Sequence, residues 1–438
     1  MGHYSDKTLS GPFNHSSEDS DMRNKAKFLL TVLATMAASV AMADEIPAAM
    51  NPANGVWIQQ IGDVVPHDGT KATLYYTRYD QDDRVRSITY QYNGNGYLLI
   101  KPGDKTTICK KGANGVEGSD GIVHMPNSPH LLIAGQTKGK VYKVRKNATG
   151  QCRDATIGLK QSTRPNQQFT YPDGGITSWA DAGIYHLTVD PSGKWLWGTD
   201  QPGYLFRFNI NNGNIADGEK VDIRPYDKAD SNAHSKNGRG MDWISSLIWD
   251  GDGNAFVTYS DYIGGGCEVT NENCSARLKG ARLARAYFGW VKEKKSDANG
   301  NITEIKTKIL IDSLEGAHAG TYDPWSKTIF LFGGAKIIQL KPRLDGSNMI
   351  IEKKAEIDLR TYLFREDSLT GPHTSGTGWR LDQGTVDGFG HLFVASQTGH
   401  VIFVDYHTTG FIDGPVMMHA QWIDNYLDDL APLADVQV

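Results

Sequence analysis

The stretch 381-LDQGTVDGFGHLFVASQ-397 reads as a short apolar strand, a tight turn and a second apolar strand ending in small residues. Working outward, the same pattern recurs at 317-AHAGTYDPWSKTIFLFGG-334, 244-ISSLIWDGDGNAFVTYS-260, 184-IYHLTVDPSGKWLWGTD-200 and 119-SDGIVHMPNSPHLLIAG-135. Aligned on Pro126, Asp190, Asp250, Asp323 and Asp387 or their neighbours, the repeats are 60 to 73 residues apart. That period is the mark of blades around an axis, each burying its faces only against its neighbours. The first strand of each repeat would line the axis. The turns PSGK, GDGN, PWSK and GFGH hold residues that accept tight-turn backbone angles. The second strands are apolar at nearly every position, as expected where blades cover both faces. Third strands follow at 139-GKVYKVRK, 203-GYLFRFNI, 281-ARLARAYFGWV, 335-AKIIQLKP and 399-GHVIFVDY, with alternating outer strands such as 219-EKVDIRPY and 351-IEKKAEIDL.

The expected fold class is therefore all-β, a single β-propeller with four-stranded blades. Segments 71-KATLYYTRY, 84-RVRSITYQYN and 96-GYLLIKPGDKTTI look like the outer three strands of a blade lacking its inner strand, and 427-LDDLAPL looks like an inner strand alone. Joined, they make a sixth blade that removes the exposed sheet edges. Five blades with an N-terminal appendage is the alternative.

Composition fits this class: 48 glycines, 19 tyrosines, 10 tryptophans and a formal net charge of −5. So mild an acidity provides no field to gather nucleic acid. Residues 22-MRNKAKFLLTVLATMAASVAMADE carry a basic start, an apolar core over Phe28–Val40 and a small-x-small site at Ala41–Ala43, the pattern of a cleaved signal peptide. The core is short for a membrane span of about 30 Å, so no stable span is expected after cleavage. The expected organisation is residues 1–21 as an extension ahead of the true start at Met22, 22–43 as signal peptide and 44–438 as propeller, placed in the periplasm or secreted.

Four cysteines in an exported chain suggest two disulfides. Cys267 and Cys274 share one glycine-rich loop, which leaves Cys109 for Cys152, although three pairings are formally open. Neither pair has metal-site spacing, and without CxxCH covalent haem is excluded.

Ligands of propellers usually sit on the axis, where the inner strands begin. There the repeats place Asp120, Tyr185, Ser245, His318 and Asp382, then Gly121, His186, Ser246, Ala319 and Gln383, with Asp428 or Asp429 from the closing strand. Convergence of Asp120, Asp382, Asp428 and His318 would suit a cation, Ca2+ or Mg2+ by their oxygen donors. His318, Asp382, His186 and Tyr185 are the candidate catalytic groups. Equally, polar side chains at strand entries bond nearby amides and line water-filled channels without any ligand. His124, His391 and His400 fall in or beside strands and are expected to pack or face the surface. DGDGN at 250–254 and DANGN at 297–301 resemble calcium loops, but Ala255 stands where the first needs glycine and Lys308 closes the second, so both are expected to be hairpin turns. No nucleophile elbow, phosphate loop or zinc-protease motif is present.

The segments YHLTVDPSGKWLWG (185–198), LDQGTVDGFGHLFVASQTGHVIFVDY (381–406) and LDDLAPL (427–433) resemble a group of exported bacterial propeller proteins, many of which carry a C-terminal PEP-CTERM sorting tag. The resemblance covers about the last three hundred residues. It implies export and a propeller, and no established activity. The chain ends at Val438 without Pro-Glu-Pro, apolar span or basic tail, which makes release or periplasmic residence the expectation. A weaker similarity, in GTVDGFGHLFVA, is to lactonase and NHL-type propellers. In lactonase-like relatives a channel cation activates water against an ester, but their N-terminal acidic ligand motif is not recognisable here. Two functions follow as expectations. The first is a binding or matrix-associated protein for a saccharide, small molecule or protein outside the cytoplasm, with loops 153–183 and 225–243 as binding edges. The second is a cation-dependent hydrolase or lyase working in the channel.

Overall fold

The computed structural model describes residues 71–79, 81–92, 98–100, 105–135, 139–160, 168–170, 176–178, 183–200, 204–226, 243–260, 286–314, 317–361 and 379–431. The signal-peptide segment, Cys267, Cys274 and most of the two proposed binding loops lie outside them. Among the described residues the chain is all β apart from one 3-10 turn at Leu359–Thr361.

The N-terminal strands are β1 (Lys71–Arg78), β2 (Asp83–Tyr92), β3 (Leu98–Ile100) and β4 (Thr106–Lys110). A four-stranded sheet follows, β5 (Ser119–His124), β6 (His130–Gly135), β7 (Lys140–Arg145) and β8 (Arg153–Ile157). A small hairpin pairs β9 (Gln168–Thr170) with β10 (Ile176–Ser178). Next come β11 (Leu187–Val189), β12 (Trp195–Asp200), β13 (Tyr204–Asn211), β14 (Asn214–Ile215) and β15 (Glu219–Pro225). They are followed by β16 (Trp243–Trp249), β17 (Ala255–Ser260), β18 (Ala286–Ser296) and β19 (Ile302–Leu314). Two further four-stranded sheets hold β20 (Ala319–Asp323), β21 (Thr328–Gly333), β22 (Lys336–Asp345) and β23 (Asn348–Asp358), then β24 (Leu381–Val386), β25 (His391–Ser396), β26 (His400–Asp405) and β27 (Met417–Trp422). The last strand is β28 (Leu427–Leu430).

Each inner strand expected from the repeats is present: β5, β11, β16, β20, β24 and β28. The runs that begin at β11 and β16 are fused into one nine-stranded sheet, because outer strand β15 pairs in parallel with outer strand β19 over Asp222–Pro225 and Glu304–Thr307. β18 and β19 are long enough to reach past their own run, an extension that the repeat length hides. Apolar clusters fill each junction between neighbouring runs. Phe330, Phe332, Leu392 and Val394 belong to one, Leu132, Leu187, Leu196 and Phe206 to another, and Leu74, Ile88, Phe403 and Leu427 join the last sheet to the first.

The aspartates that set the alignment have a common structural task. Asp190 accepts the amide of Trp195, Asp250 those of Asp252 and Asn254, Asp323 those of Trp325 and Ser326, and Asp387 those of Phe389 and His391, at 2.7–3.2 Å. A side chain that closes a turn on its own backbone is favoured wherever two strands must reverse tightly. Asp250 and Asp297 do this in DGDGN and DANGN, where Asn254 and Asn301 also donate side-chain amides. Both segments are hairpin turns, as expected.

The ring closes through β28, which pairs antiparallel with β1, Tyr76 opposite Leu430. The third N-terminal strand expected over residues 96–108 is instead two short ones, β3 and β4, both pairing with β2. Thr77 joins three strands at the closure: its hydroxyl donates to Asp120 O (2.6 Å) and accepts from Asp429 N (3.0 Å). Just ahead of β28, buried Asp424 receives Tyr76 Oη (3.0 Å), Arg78 (3.0 Å) and Arg86 (2.5 Å).

Cys109 in β4 is bonded to Cys152 beside β8, which ties the closing sheet to its neighbour. Their separation of 43 residues gives a loop-closure contribution of about 4 kcal/mol in the chain-entropy picture. Replacing both by serine is expected to lower unfolding free energy by 2 to about 4 kcal/mol. Urea denaturation measures this, and an unchanged midpoint would remove the bond from the fold's stability.

Candidate axial site

At one end of the axis, bulges interrupt the pairing of three inner strands. Register shifts fall between Ser119 and Ile122, between Ile244 and Ser246, and between Leu381 and Gly384. The residues inside them are Asp120–Gly121, Ser245 and Asp382–Gln383. A bulge bends its strand and re-aims the side chain it carries, here turning polar groups out of apolar strands toward the axis. Gly121 makes this possible on one side: a Cβ there would lie 2.4 Å from Tyr185 O, whose carbonyl accepts the Gly121 amide at 3.0 Å.

Six side chains converge. Asp120, His186, Asp382, Asp428 and Asp429 are buried, and His318 is 14% exposed at its side chain. His186 Nδ1 lies 3.0 Å from Asp429 Oδ2, and His318 Nε2 lies 3.1 Å from Asp382 Oδ1. The two imidazoles meet edge to face, with centroids 4.9 Å apart. Gln397 donates to Asp382 Oδ2 at 2.8 Å, and the Gln383 amide faces Asp429 and donates to it when its nitrogen is turned that way. Asp428 lies close enough to Asp382 for each carboxyl to act on the other's proton affinity. Donor atoms of His186, His318 and Asp382 lie within 4.8 Å of one another, as do those of Asp120, His186 and Asp429.

Burial raises every carboxyl's hold on its proton, and neighbours decide what remains. Asp120 is pushed well up by burial and then by the charge of Asp429. Asp428 is pushed well up by burial, then by Asp120 and Asp382. Asp429 is also raised, burial outweighing the pull of His186. Burial acts on Asp382 too, but His318 and then His186 overcome it and hold this carboxyl below the usual range. Burial likewise lowers His186, yet Asp429 outweighs it and lifts the imidazole to about 9. The centre thus holds two histidine–carboxylate pairs, His186–Asp429 and His318–Asp382, beside two carboxyls, Asp120 and Asp428, whose neutral form burial favours.

Within this cluster, His186 Nε2 and Asp428 Oδ2 are among the buried atoms that find no hydrogen-bond partner in the described residues. A cavity of about 90 Å³ among the inner strands is lined by Ile122, Val189, Leu247, Gly320 and Leu430, with His186 and Gln383 in its wall. Small-molecule sites generally occupy about 300 Å³ or more, so this space suits an ion and its waters.

The structure brings Asp120, His186, His318 and Asp382 together. Both Asp428 and Asp429 enter, rather than one of them. Tyr185 bonds through its main chain to Gly121 and Thr199, and the ring of its neighbour His186 reaches Asp429. The repeat alignment misses that one-residue difference, because β11 begins only at Leu187. Gln397 was legible only as a polar residue after a strand. His124 and His400 are buried packing residues, edge-on to Tyr75 and Trp379.

The chain is a β-propeller. No family model matches it, and no curated protein matches it in sequence. Among solved structures it is similar to one in the nidogen/laminin complex (TM-score 0.48, 12% identity, 82% of this chain and 97% of that one). It is also similar to the periplasmic gluconolactonase PpgL of Pseudomonas aeruginosa (0.42, 10%, 82% and 84%) and to the Cps50 (Swd1) β-propeller domain of Myceliophteria thermophila (0.38, 9%, 81% and 86%). These likenesses concern the fold alone. Among the described residues no helix is long and apolar enough to cross a membrane.

Proposed function

We propose that this is an exported propeller, mature from Asp44, whose axial centre takes up one divalent cation and with it presents a binding site for an extracytoplasmic ligand. The observation that carries this reading is the pair of donor triads that share His186, His186–His318–Asp382 and Asp120–His186–Asp429, with buried Asp428 beside them. Isolated buried charges are too costly to leave unpaired, and in the apo chain protons and histidines offset them. A cation would do so more completely, with Asp120, Asp382, Asp428 and Asp429 as oxygen donors and His186 Nε2 as a nitrogen donor. That mixed set suits Mn2+ or Zn2+ as well as Ca2+ or Mg2+. Export is supported by the Met22–Ala43 pattern and by the Cys109–Cys152 bond.

Titrating the 44–438 chain with calcium and with manganese tests the reading. One ion per chain is expected, taken up with proton release and a raised melting temperature. Asp120→Ala combined with Asp382→Ala should abolish uptake. A wild-type chain that binds neither ion at millimolar concentration sinks the proposal.

A second reading, hydrolysis or elimination on a small ester or saccharide, is favoured by the contrast between the neighbouring carboxyls of Asp382, held down, and Asp428, pushed up. Carboxyls driven apart in proton affinity divide naturally into base and acid. Asp382 would accept a proton from attacking water and Asp428 would donate one to the leaving oxygen, while a bound cation would polarise the scissile carbonyl.

A further inference from the structure

We propose a second metal site, for zinc or a similar borderline divalent ion, formed by His391, Asp405 and His407 and oriented by Asp387. Strands β24 to β27 alternate in direction, so the turn after β24 and the turn after β26 meet at the end of the sheet away from Asp382. Gly390 brings them together. Its backbone, at φ +90°, passes so near His407 that a Cβ would lie 2.4 Å from His407 Cα, and its carbonyl accepts the amide of Tyr406 at 2.9 Å.

The donors are arranged as a ligand set. One atom from each of His391, Asp405 and His407 lies within 4.8 Å of the others. Asp387 is fully buried and fixed by the amides of Phe389 and His391, and its other oxygen holds His391 Nδ1. A carboxylate on Nδ1 places the proton there and leaves Nε2 as a ligand, the arrangement that metal-bound histidines show. Nε2 faces Asp405 Oδ2 at 3.7 Å. This is too long for a hydrogen bond, but close to the separation of about 3.4 Å between neighbouring donors at ~2.1 Å from a tetrahedral ion. Asp405 Oδ1 meets His407 Nδ1 at 2.6 Å, and the His407 side chain is 50% exposed. Three protein donors with one side open to solvent leave a position for water or for a partner's carboxylate. Two imidazoles and one carboxylate favour zinc over calcium.

Nothing in this depends on the axial centre. Zinc affinity of the 44–438 chain, measured against a chromophoric chelator, tests it, with cobalt(II) absorption reporting the ligand set. His407→Ala, at a half-exposed side chain, should weaken zinc at least tenfold without altering the apo melt, and Asp387→Asn should weaken it by about 10- to 100-fold. Lys353→Ala, at an exposed side chain outside both clusters, should leave this affinity as it was, and the zinc that His407→Ala loses should still bind in Asp428→Asn. Equal zinc binding by the parent and His407→Ala overturns the proposal, as does loss of the ion in Asp428→Asn alone, which would put it on the axis.

Discussion

A chain ending at Pro415 is expected to show no cooperative unfolding transition. The deletion removes β27 and β28, and with them the only pairing of β1 on its inner side among the described residues. Ile423, Leu427 and Leu430, each almost fully buried in the cluster between the last and first sheets, are lost together. At about 2–5 kcal/mol for each large aliphatic side chain, those three alone approach the 5–15 kcal/mol by which a domain is usually stable. The deletion also strands Arg78 and Arg86 without Asp424 and leaves His186 buried without Asp429. Calorimetry and the far-ultraviolet melt should both show a broad, non-cooperative change. A truncated chain that melts like the parent would mean that β28 does not hold the ring.

The fold was readable because its repeat is carried by turn chemistry as well as apolar pattern. Asp190, Asp250, Asp323 and Asp387 recur because each must close the same turn, and the inner strands follow from them by counting. Closure by residues 427–430 was readable for the complementary reason: a strand without a partner at each end of the chain has one economical solution. The parallel contact between β15 and β19 was not readable, since it depends on how far β18 and β19 extend beyond their own run. At the site, Asp120, His318 and Asp382 lay at the expected mouth positions. The bulges that aim Asp120 and Asp382 leave no mark in a single sequence beyond a neighbouring small residue, Gly121 or Gly384. His186 and Tyr185 were both candidates, and which of the two rings enters the cluster could not be counted from the repeat, because β11 is only three residues long with an irregular lead-in. The cluster at His391, Asp405 and His407 was invisible for another reason: its donors come from two turns that meet only through the close approach at Gly390.

With no metal added, Asp428→Asn should be tolerated while Asp382→Asn is strongly destabilising, though the two carboxyls are neighbours. Asp428 is pushed up by burial and its acidic neighbours, so an amide of the same shape replaces a group whose neutral form is favoured. A change within about 1 kcal/mol at pH 7 is expected, as for a satisfied polar swap. Asp382 is the ionised member, facing His318 and His186. Its loss leaves buried positive charge without compensation, which costs about 3–5 kcal/mol. The pH dependence follows from the same assignments. A depressed carboxyl such as Asp382 stabilises above the unfolded value near ~3.9 and loses that contribution as pH falls toward its folded value. His186, raised to about 9, contributes fully below the unfolded value near ~6.5 and loses its contribution as pH rises through about 9. Asp120 and Asp428 act in the opposite sense to Asp382: the unfolded chain ionises them from about pH 4, so they draw stability down as pH rises. Urea denaturation at pH 5, 7 and 9 should therefore show the apo parent weakening toward pH 9, the Asp428→Asn variant weakening less, and calcium or manganese restoring most where the carboxyls are hardest to keep protonated. Equal destabilisation by the two asparagine variants would mean that Asp428 is ionised in the folded chain, and the division of these carboxyls into acid and base would fall with it.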